Sequence, residues 1–264
     1  MTDFTGRVVI VTGGADGMGE ATVHTFARAG AVVVIADRDA GRSELVEAEV
    51  REAGGDAHAI VTDVREPEQV EALIARVRAR WGRIDVLDNN AAALELTAED
   101  PGVLDLEPGV MLETLRGNVF ASYLTTRAVL PAMLDQGRGA IVNIASVSGM
   151  AGELALTAYG VSKAALIQLT RAVATQHGRH GIRCNAVAPA YVTTRNNALH
   201  APPELAGIYA RNTSTPGVAS PQDIADAVVF LASDQAGLIT GHVLPVDGGF
   251  VAGSSIVADF RAAQ

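Results

Sequence analysis

The chain of 264 residues is short of several things, and each shortage closes off a class of function. Cys184 is the one cysteine, so no internal disulfide can form and no thiolate cluster can bind zinc. Within "IRCNAVA" it reads as a small core residue, and a reducing setting is expected. The six histidines show no HExxH-type spacing, so no metal site is expected. Positive charge is in deficit, with 20 Lys and Arg against 30 Asp and Glu and a net charge of −10. No nucleic-acid backbone or membrane surface is the expected partner of such a chain. No stretch reaches the ~18 uninterrupted apolar residues of a membrane span. A strand-like run starts almost at once in "MTDFTGRVVIVTGG", which leaves no room for a signal peptide. The expectation is a cytoplasmic protein.

Apolar material is plentiful, at 48% of the residues, and it is rhythmically placed. Short β-branched runs ("RVVIVTG", "AVVVIAD", "AHAIVTDV", "RIDVLDNNA", "GAIVNIAS", "IRCNAVAP", "HVLPVDGG") alternate with longer stretches of helical spacing. Apolar runs without alternation predict strands buried on both faces, as in a parallel sheet flanked by helices. A long helix from about Gly109 to Leu134 is expected, interrupted by Gly117, and another over 157–178. With no linker or repeat, residues 1–264 read as one α/β domain, and about 190–217 as a substrate loop or lid.

"TGGADGMG", residues 12–19, follows the first strand directly and opens the first helix. In that context Gly13 permits the tight turn, Gly17 lets backbone approach a pyrophosphate, and Gly19 allows close helix–strand packing. The helix start offers unpaired N–H groups to the anion. Asp37 ends the second strand, where a carboxylate accepts hydrogen bonds from an adenosine ribose and repels a 2′-phosphate. Asp16 adds negative charge in the turn. Arg38 pulls the other way but reads as a solvated helix-start residue, so NAD is favoured over NADP.

"TAYGVSKAAL" stacks Tyr159 and Lys163 on one helical face, one turn apart. With "TGGADGMG", "TDV" at 62–64, "NNAA" at 89–92, Asn118, "NIASVSG" from 143, "YGVSK" from 159, "APAYVTT" from 188 and "VDGG" from 246, the chain resembles the short-chain dehydrogenase/reductase family from about Gly6 to Phe250. The resemblance implies a single Rossmann-like, doubly wound domain with a parallel seven-stranded sheet in the order 3-2-1-4-5-6-7 and helices on both faces. It implies a catalytic quartet of Asn118, Ser146, Tyr159 and Lys163. Tyr159 would be the general acid or base, Ser146 would hold the substrate oxygen, and Asn118 would hold water leading from Lys163. It also implies cofactor contacts from Gly13, Asp16, Gly17, Met18, Gly19, Asp37, Arg38, Asp63, Val64, Asn90, Ala91, Tyr159, Lys163, Pro189, Val192 and Thr194. Substrate contacts would come from Ser146, Ser148, Leu154, Tyr159 and Tyr191, with Leu199 and Tyr209 in the lining. The family's usual association is a homotetramer.

A phenol normally titrates near pH ~10, and an ammonium ~4 Å away at an effective dielectric of ~20 is worth about 4 kcal/mol. On that basis Lys163 is expected to make Tyr159 markedly more acidic. Ala92 and Ala190 stand where the family pattern has glycine, which raises the question of a changed backbone or a narrower pocket. The implied activity is hydride transfer between NAD(H) and a secondary alcohol or ketone, with a neutral, hydrophobic cyclic or aryl substrate. The alternatives are an NADPH-dependent reductase of 3-oxoacyl thioesters and a non-catalytic NAD-binding regulator.

Overall fold

Runs of valine and isoleucine such as "VVIVT" and "VVVIAD", buried on both faces, fix the layering of the fold. The computed structural model describes residues 2–195, 197, 202–254 and 256–263. Seven strands run in chain order: β1 (Val8–Thr12), β2 (Val32–Asp37), β3 (Asp56–Val61), β4 (Val86–Asn89), β5 (Gly139–Ile144), β6 (Ile182–Pro189) and β7 (Val243–Val246). All pair in parallel, in the order β3-β2-β1-β4-β5-β6-β7. The chain reverses its direction of travel between β1 and β4, and the carboxyl ends of those strands open a crevice there.

Helices cover both faces. On one side α1 (Gly17–Arg28) and α2 (Ala40–Glu52) deliver Val23, Phe26, Val46 and Val50 to a core shared with Val9, Val11, Val33 and Ile35. On the other, α3 (Pro67–Trp81) and α5 (Ala121–Gln136) deliver Leu73, Val77, Val129 and Met133 against Ile10, Leu87 and Ile141. Several helix ends rest on recognisable chemistry. Asp16 and Asp39 cap α1 and α2 with their carboxylates, and Pro67 opens α3 while Gly82 closes it.

The expected helix over 109–134 is a composite. It comprises α4 (Pro108–Leu115), a π turn over Arg116–Phe120, and α5. Gly117 lies in the break, where a methyl group would lie 2.6 Å from Ala93 Cβ. Helix α6 (Thr157–His177) carries Tyr159 and Lys163. The segment after β6 contains α7 (Leu205–Asn212), and α8 (Pro221–Ala232) packs on α1 behind a Ser220/Asp223 capping box. Leu199 lies outside the described residues.

Several strand positions are buried and polar, and at one of them the side chain has no partner. Asp88 on β4 sits between Val11 and Val142 in the sheet register, is fully buried, and neither carboxylate oxygen has a hydrogen-bond partner. Burial raises its pKa well above the usual carboxylate range.

Candidate active site

The glycine-rich turn is built by backbone approach. Asn90 on the loop after β4 donates from Nδ2 to the carbonyls of Thr12 (3.1 Å) and Gly13 (2.9 Å), tying that loop to the turn. A methyl group on Gly19 would fall 2.0 Å from the Gly13 carbonyl oxygen, so only glycine lets α1 start this close to β1. Asp37 accepts from the Ala15 N–H (3.1 Å) and the Asp39 N–H (3.0 Å), which holds its carboxylate beside the turn. Thr194 stands over the same turn, its methyl 3.4 Å from where a side chain on Gly17 would begin. This open, N–H-lined cradle with a fixed carboxylate at its rim fits a dinucleotide: the turn Gly13–Gly19 would hold the pyrophosphate and Asp37 the adenosine ribose.

Other expected cofactor residues are placed less simply. Arg38 is exposed, as expected, and pairs at the surface with Glu95 at 3.2 Å, which also lies 4.0 Å from Arg65. Asp63 turns its carboxylate to Arg65, and that hydrogen-bonded guanidinium lowers its pKa. The Val64 side chain is buried with Val70, Ala121 and Leu124, so it faces core and leaves its backbone to the cleft. Ala91 and Met18 are partly buried against the core, Val192 is buried, and Pro189 ends β6 with its carbonyl 3.5 Å from Ser146 Oγ. Ala92 and Ala190 need no left-handed backbone: Leu156 is the only non-glycine residue with positive φ among the described residues. The methyl groups therefore cost no strain there.

The expected quartet gathers at the carboxyl ends of β4 and β5. Asn118 lies in the π turn, fully buried, with Oδ1 accepting from the Ala93 N–H (2.8 Å) and Nδ2 donating to Ser162 Oγ (2.8 Å). Ser162 in turn donates to the Tyr159 carbonyl (2.7 Å). Lys163 is buried, donates to the Ile144 carbonyl (2.7 Å), and its Nζ is 5.4 Å from the centroid of the Tyr159 ring. Ser146 follows β5, close enough for a hydrogen bond that acidifies Tyr159.

Tyr159 is held from behind. Asp100, a buried residue not singled out in the sequence, accepts from the N–H groups of Ala158 (2.9 Å) and Tyr159 (2.8 Å). Its carbonyl accepts from Leu156, whose φ of 61° places an ordinary side chain in the left-handed region at the helix start. Thr157 adds a bond to the Pro101 carbonyl (2.9 Å).

The expected acidification of Tyr159 is overturned. Its pKa is pushed up to about 12, chiefly by burial, with the Glu153 carboxylate adding to the rise and the Ser146 hydrogen bond opposing it. Burial brings Lys163 down to about 8. The Coulomb estimate failed because it left out desolvation, which penalises both charged forms. The ammonium is also turned to a backbone carbonyl instead of the phenol oxygen. At neutral pH the phenol is a proton donor, and the amine titrates closest to neutrality. Lys163 is also the only lysine in the chain.

The substrate side brings Ser148 to Ser146 (Oγ to Oγ, 3.2 Å), and Ser148 donates to the Glu153 carboxylate. Tyr191, Tyr209 and Phe250 form an aromatic wall with ring centroids 5.6 and 5.1 Å apart. Leu154, expected to touch substrate, stands wholly in solvent, within a segment that is exposed throughout from Met150 to Ala155. Glu153 is the lone acid between Ser146 and Lys163, and that isolation was the signal by which the sequence could have revealed it.

Comparison with known proteins agrees with this architecture. The family model described as "Enoyl-(Acyl carrier protein) reductase" matches residues 13–251. A probable short-chain type dehydrogenase/reductase of Bradyrhizobium diazoefficiens is 38% identical, covering 98% of this chain and 92% of its own. The cis-4-hydroxycyclohexanecarboxylate dehydrogenase of Sinomonas cyclohexanicum is 36% identical, covering 94% and 98%. A solved 7α-hydroxysteroid dehydrogenase complexed with NADH and 7-oxo glycochenodeoxycholic acid superposes with a TM-score of 0.88 at 32% identity, covering 94% of this chain and 95% of that one.

Proposed function

Because the chain belongs to the short-chain dehydrogenase/reductase family, we propose that it moves hydride between NAD(H) and a secondary alcohol or ketone, on a neutral, largely hydrophobic cyclic or aryl skeleton. The observation that carries the reading is the convergence of Ser146, Tyr159 and Lys163 at the strand ends, beside a cradle shaped for a dinucleotide. The bound nicotinamide supplies or takes the hydride; the chain's own residues handle the proton and the oxygen. Tyr159, protonated at neutral pH, donates to the oxygen of a ketone being reduced, and Ser146 holds that oxygen by its hydroxyl. In oxidation Tyr159 must first give up its own proton, and its phenolate would then take the proton of the alcohol; Lys163, whose neutral amine is accessible with a pKa of about 8, would receive the proton released. Asn118 fixes the turn of chain behind both, through Ser162.

The preference for NAD rests on two features. Asp37 is locked by two backbone N–H groups in a place where a 2′-phosphate would meet its charge. The neighbouring cations that could compensate are both paired with carboxylates, Arg38 with Glu95 and Arg42 with Glu20. The segment 190–217, with α7 in it, serves as the substrate loop. Among the described residues no helix is long and apolar enough to cross a membrane, and the reading places a small-molecule enzyme, assembled as a homotetramer, in the cytoplasm.

The test is a panel of secondary alcohols and ketones assayed with NAD(H) and NADP(H) side by side, with Tyr159→Phe as control. Turnover favouring NAD, and a loss of roughly 10³-fold in the variant, is expected. Equal rates in the variant would remove the proton-transfer role. A strong NADPH preference on an acetoacetyl thioester would replace the reading with reduction of 3-oxoacyl thioesters.

A further inference from the structure

The mouth of the catalytic cleft carries a carboxylate that hydride transfer does not require. Glu153 is exposed, yet its carboxylate reaches inward to accept the Ser148 hydroxyl proton. Ser148, having donated its only hydroxyl proton, has a lone pair left for Ser146, whose hydroxyl donates to it at 3.2 Å. The direction of this chain matters. With Glu153 drawing on Ser148, the Ser146 proton is pulled along the relay, in competition with the Tyr159 phenol, the Pro189 carbonyl and a substrate oxygen. The carboxylate also raises the pKa of both Tyr159 and Tyr209, so its field spans the cleft from the reacting phenol to the aromatic wall.

We propose that Glu153 is the specificity-determining residue of this cleft, selecting alcohols and ketones that carry a second hydrogen-bond donor and rejecting those that carry a carboxylate. A substrate hydroxyl or ammonium gives Glu153 a new partner in place of Ser148. Ser148 then no longer needs to be a donor along the relay, and Ser146 is freed to turn its proton to the reacting oxygen. Recognition and activation are thereby linked through two serines. A ring stacked on Tyr191 and Tyr209 would present such a donor at its rim, and an ammonium would gain from both the carboxylate and the aromatic faces. A carboxylate in the same place meets like charge, which is the repulsive half of specificity. The inference rests on the oxidoreductase reading and sharpens its substrate class.

Four matched probes test it: cyclohexanol, a cyclohexanediol, an aminocyclohexanol and cis-4-hydroxycyclohexanecarboxylate. Each is assayed for kcat/KM with NAD+ and NADP+ and, with cofactor-saturated enzyme, for binding by saturation-transfer NMR. In the native enzyme the diol and the aminoalcohol are expected to exceed cyclohexanol, and the carboxylate to be poorest by about tenfold or more. Glu153→Gln keeps the shape and an acceptor for Ser148 but removes the charge. It should raise the carboxylate probe about tenfold and lower the aminoalcohol about tenfold, each taken as a ratio to cyclohexanol in the same variant, so that a general change at Ser146 and Tyr159 cancels. The diol separates hydrogen bonding from charge: if it stays with cyclohexanol while the aminoalcohol alone is favoured, the selected donor is the ammonium. A native preference for the carboxylate probe, or a variant that scales all four probes alike, overturns the proposal. Absence of turnover with every probe, together with the same binding order and its reversal in Glu153→Gln, leaves Glu153 as the selector and removes the hydride-transfer reading instead.

Discussion

The two ends of the cleft are made of different materials. At the adenosine end the surface is backbone: glycine approaches of 2.0 Å to a notional methyl, a turn stapled by Asn90, and a carboxylate pinned by two N–H groups. At the reacting end it is side chain: hydroxyls, a phenol and a buried amine, held by side-chain hydrogen bonds of Asp100, Asn118 and Glu153. Backbone surfaces tolerate no added atom and little motion. Side-chain surfaces can be retuned one group at a time. The first kind suits a ligand shared by many enzymes, and the second suits a substrate that differs among them.

The contrast is most easily broken by adding one carbon at the adenosine end. Gly19→Ala should weaken NADH binding by on the order of 100-fold or abolish it, read by fluorescence titration, because the Gly13 carbonyl must move. Binding within about twofold of native would show that the turn yields. A smaller effect is expected from removing support at the reacting end. Asp100→Ala should cost about tenfold in kcat with less change in KM, since the start of α6 loses two partners and Tyr159 drifts. Asp100→Asn should recover part of it, and equal losses from both would point to a fold defect.

Next in size is a pH effect. Burial favours the neutral amine of Lys163, so its proton leaves at about 8 instead of 10.5. Acylation of the free enzyme followed by peptide mass spectrometry reads this directly, because no other side-chain amine exists in the chain. The rate at Lys163 should rise with a midpoint near 8, and ketone reduction should fall over the same range as pH increases. A midpoint above 10 would contradict the burial seen here. The smallest change lies outside the cleft. Asp88→Val replaces an unpartnered carboxyl between two valines and should stabilise the fold by about 1–3 kcal/mol at neutral pH. The pKa of Asp88 is raised in the folded state, so the native protein loses stability as pH climbs above the unfolded value near ~3.9. The advantage of the variant, measured by thermal melts, should therefore shrink toward pH ~4.

The same division governs what could be read from the sequence. The sheet was legible because unbroken apolar runs such as "VVIVT" and "VVVIAD" permit only a doubly covered strand, and the family resemblance ordered them. The glycine turn was legible because its function lies in the absence of side chains. The reacting end was legible in its residue types but not in its energetics. Nothing local to "TAYGVSKAAL" shows that Lys163 faces the Ile144 carbonyl or that burial outweighs its charge. Asp100 and Glu153 escaped notice because they act through segments outside the strand and helix ladders, across separations that no periodicity encodes.

The π turn at Arg116–Phe120 has a consequence for the chain's tolerance of length changes. It inserts one residue into an otherwise unbroken helical path, so everything downstream is rotated by about 100° from where regular winding would put it. Upstream, α4 leans on α6; downstream, α5 leans on α3. The offset lets one rod satisfy two neighbours that lie in different directions, with Asn118 at the hand-over. Dropping a residue there would restore uniform winding and force a choice between turning Asn118 inward and keeping Val129 and Met133 in the core. The chain is least forgiving of a change in length where its secondary structure looks most continuous.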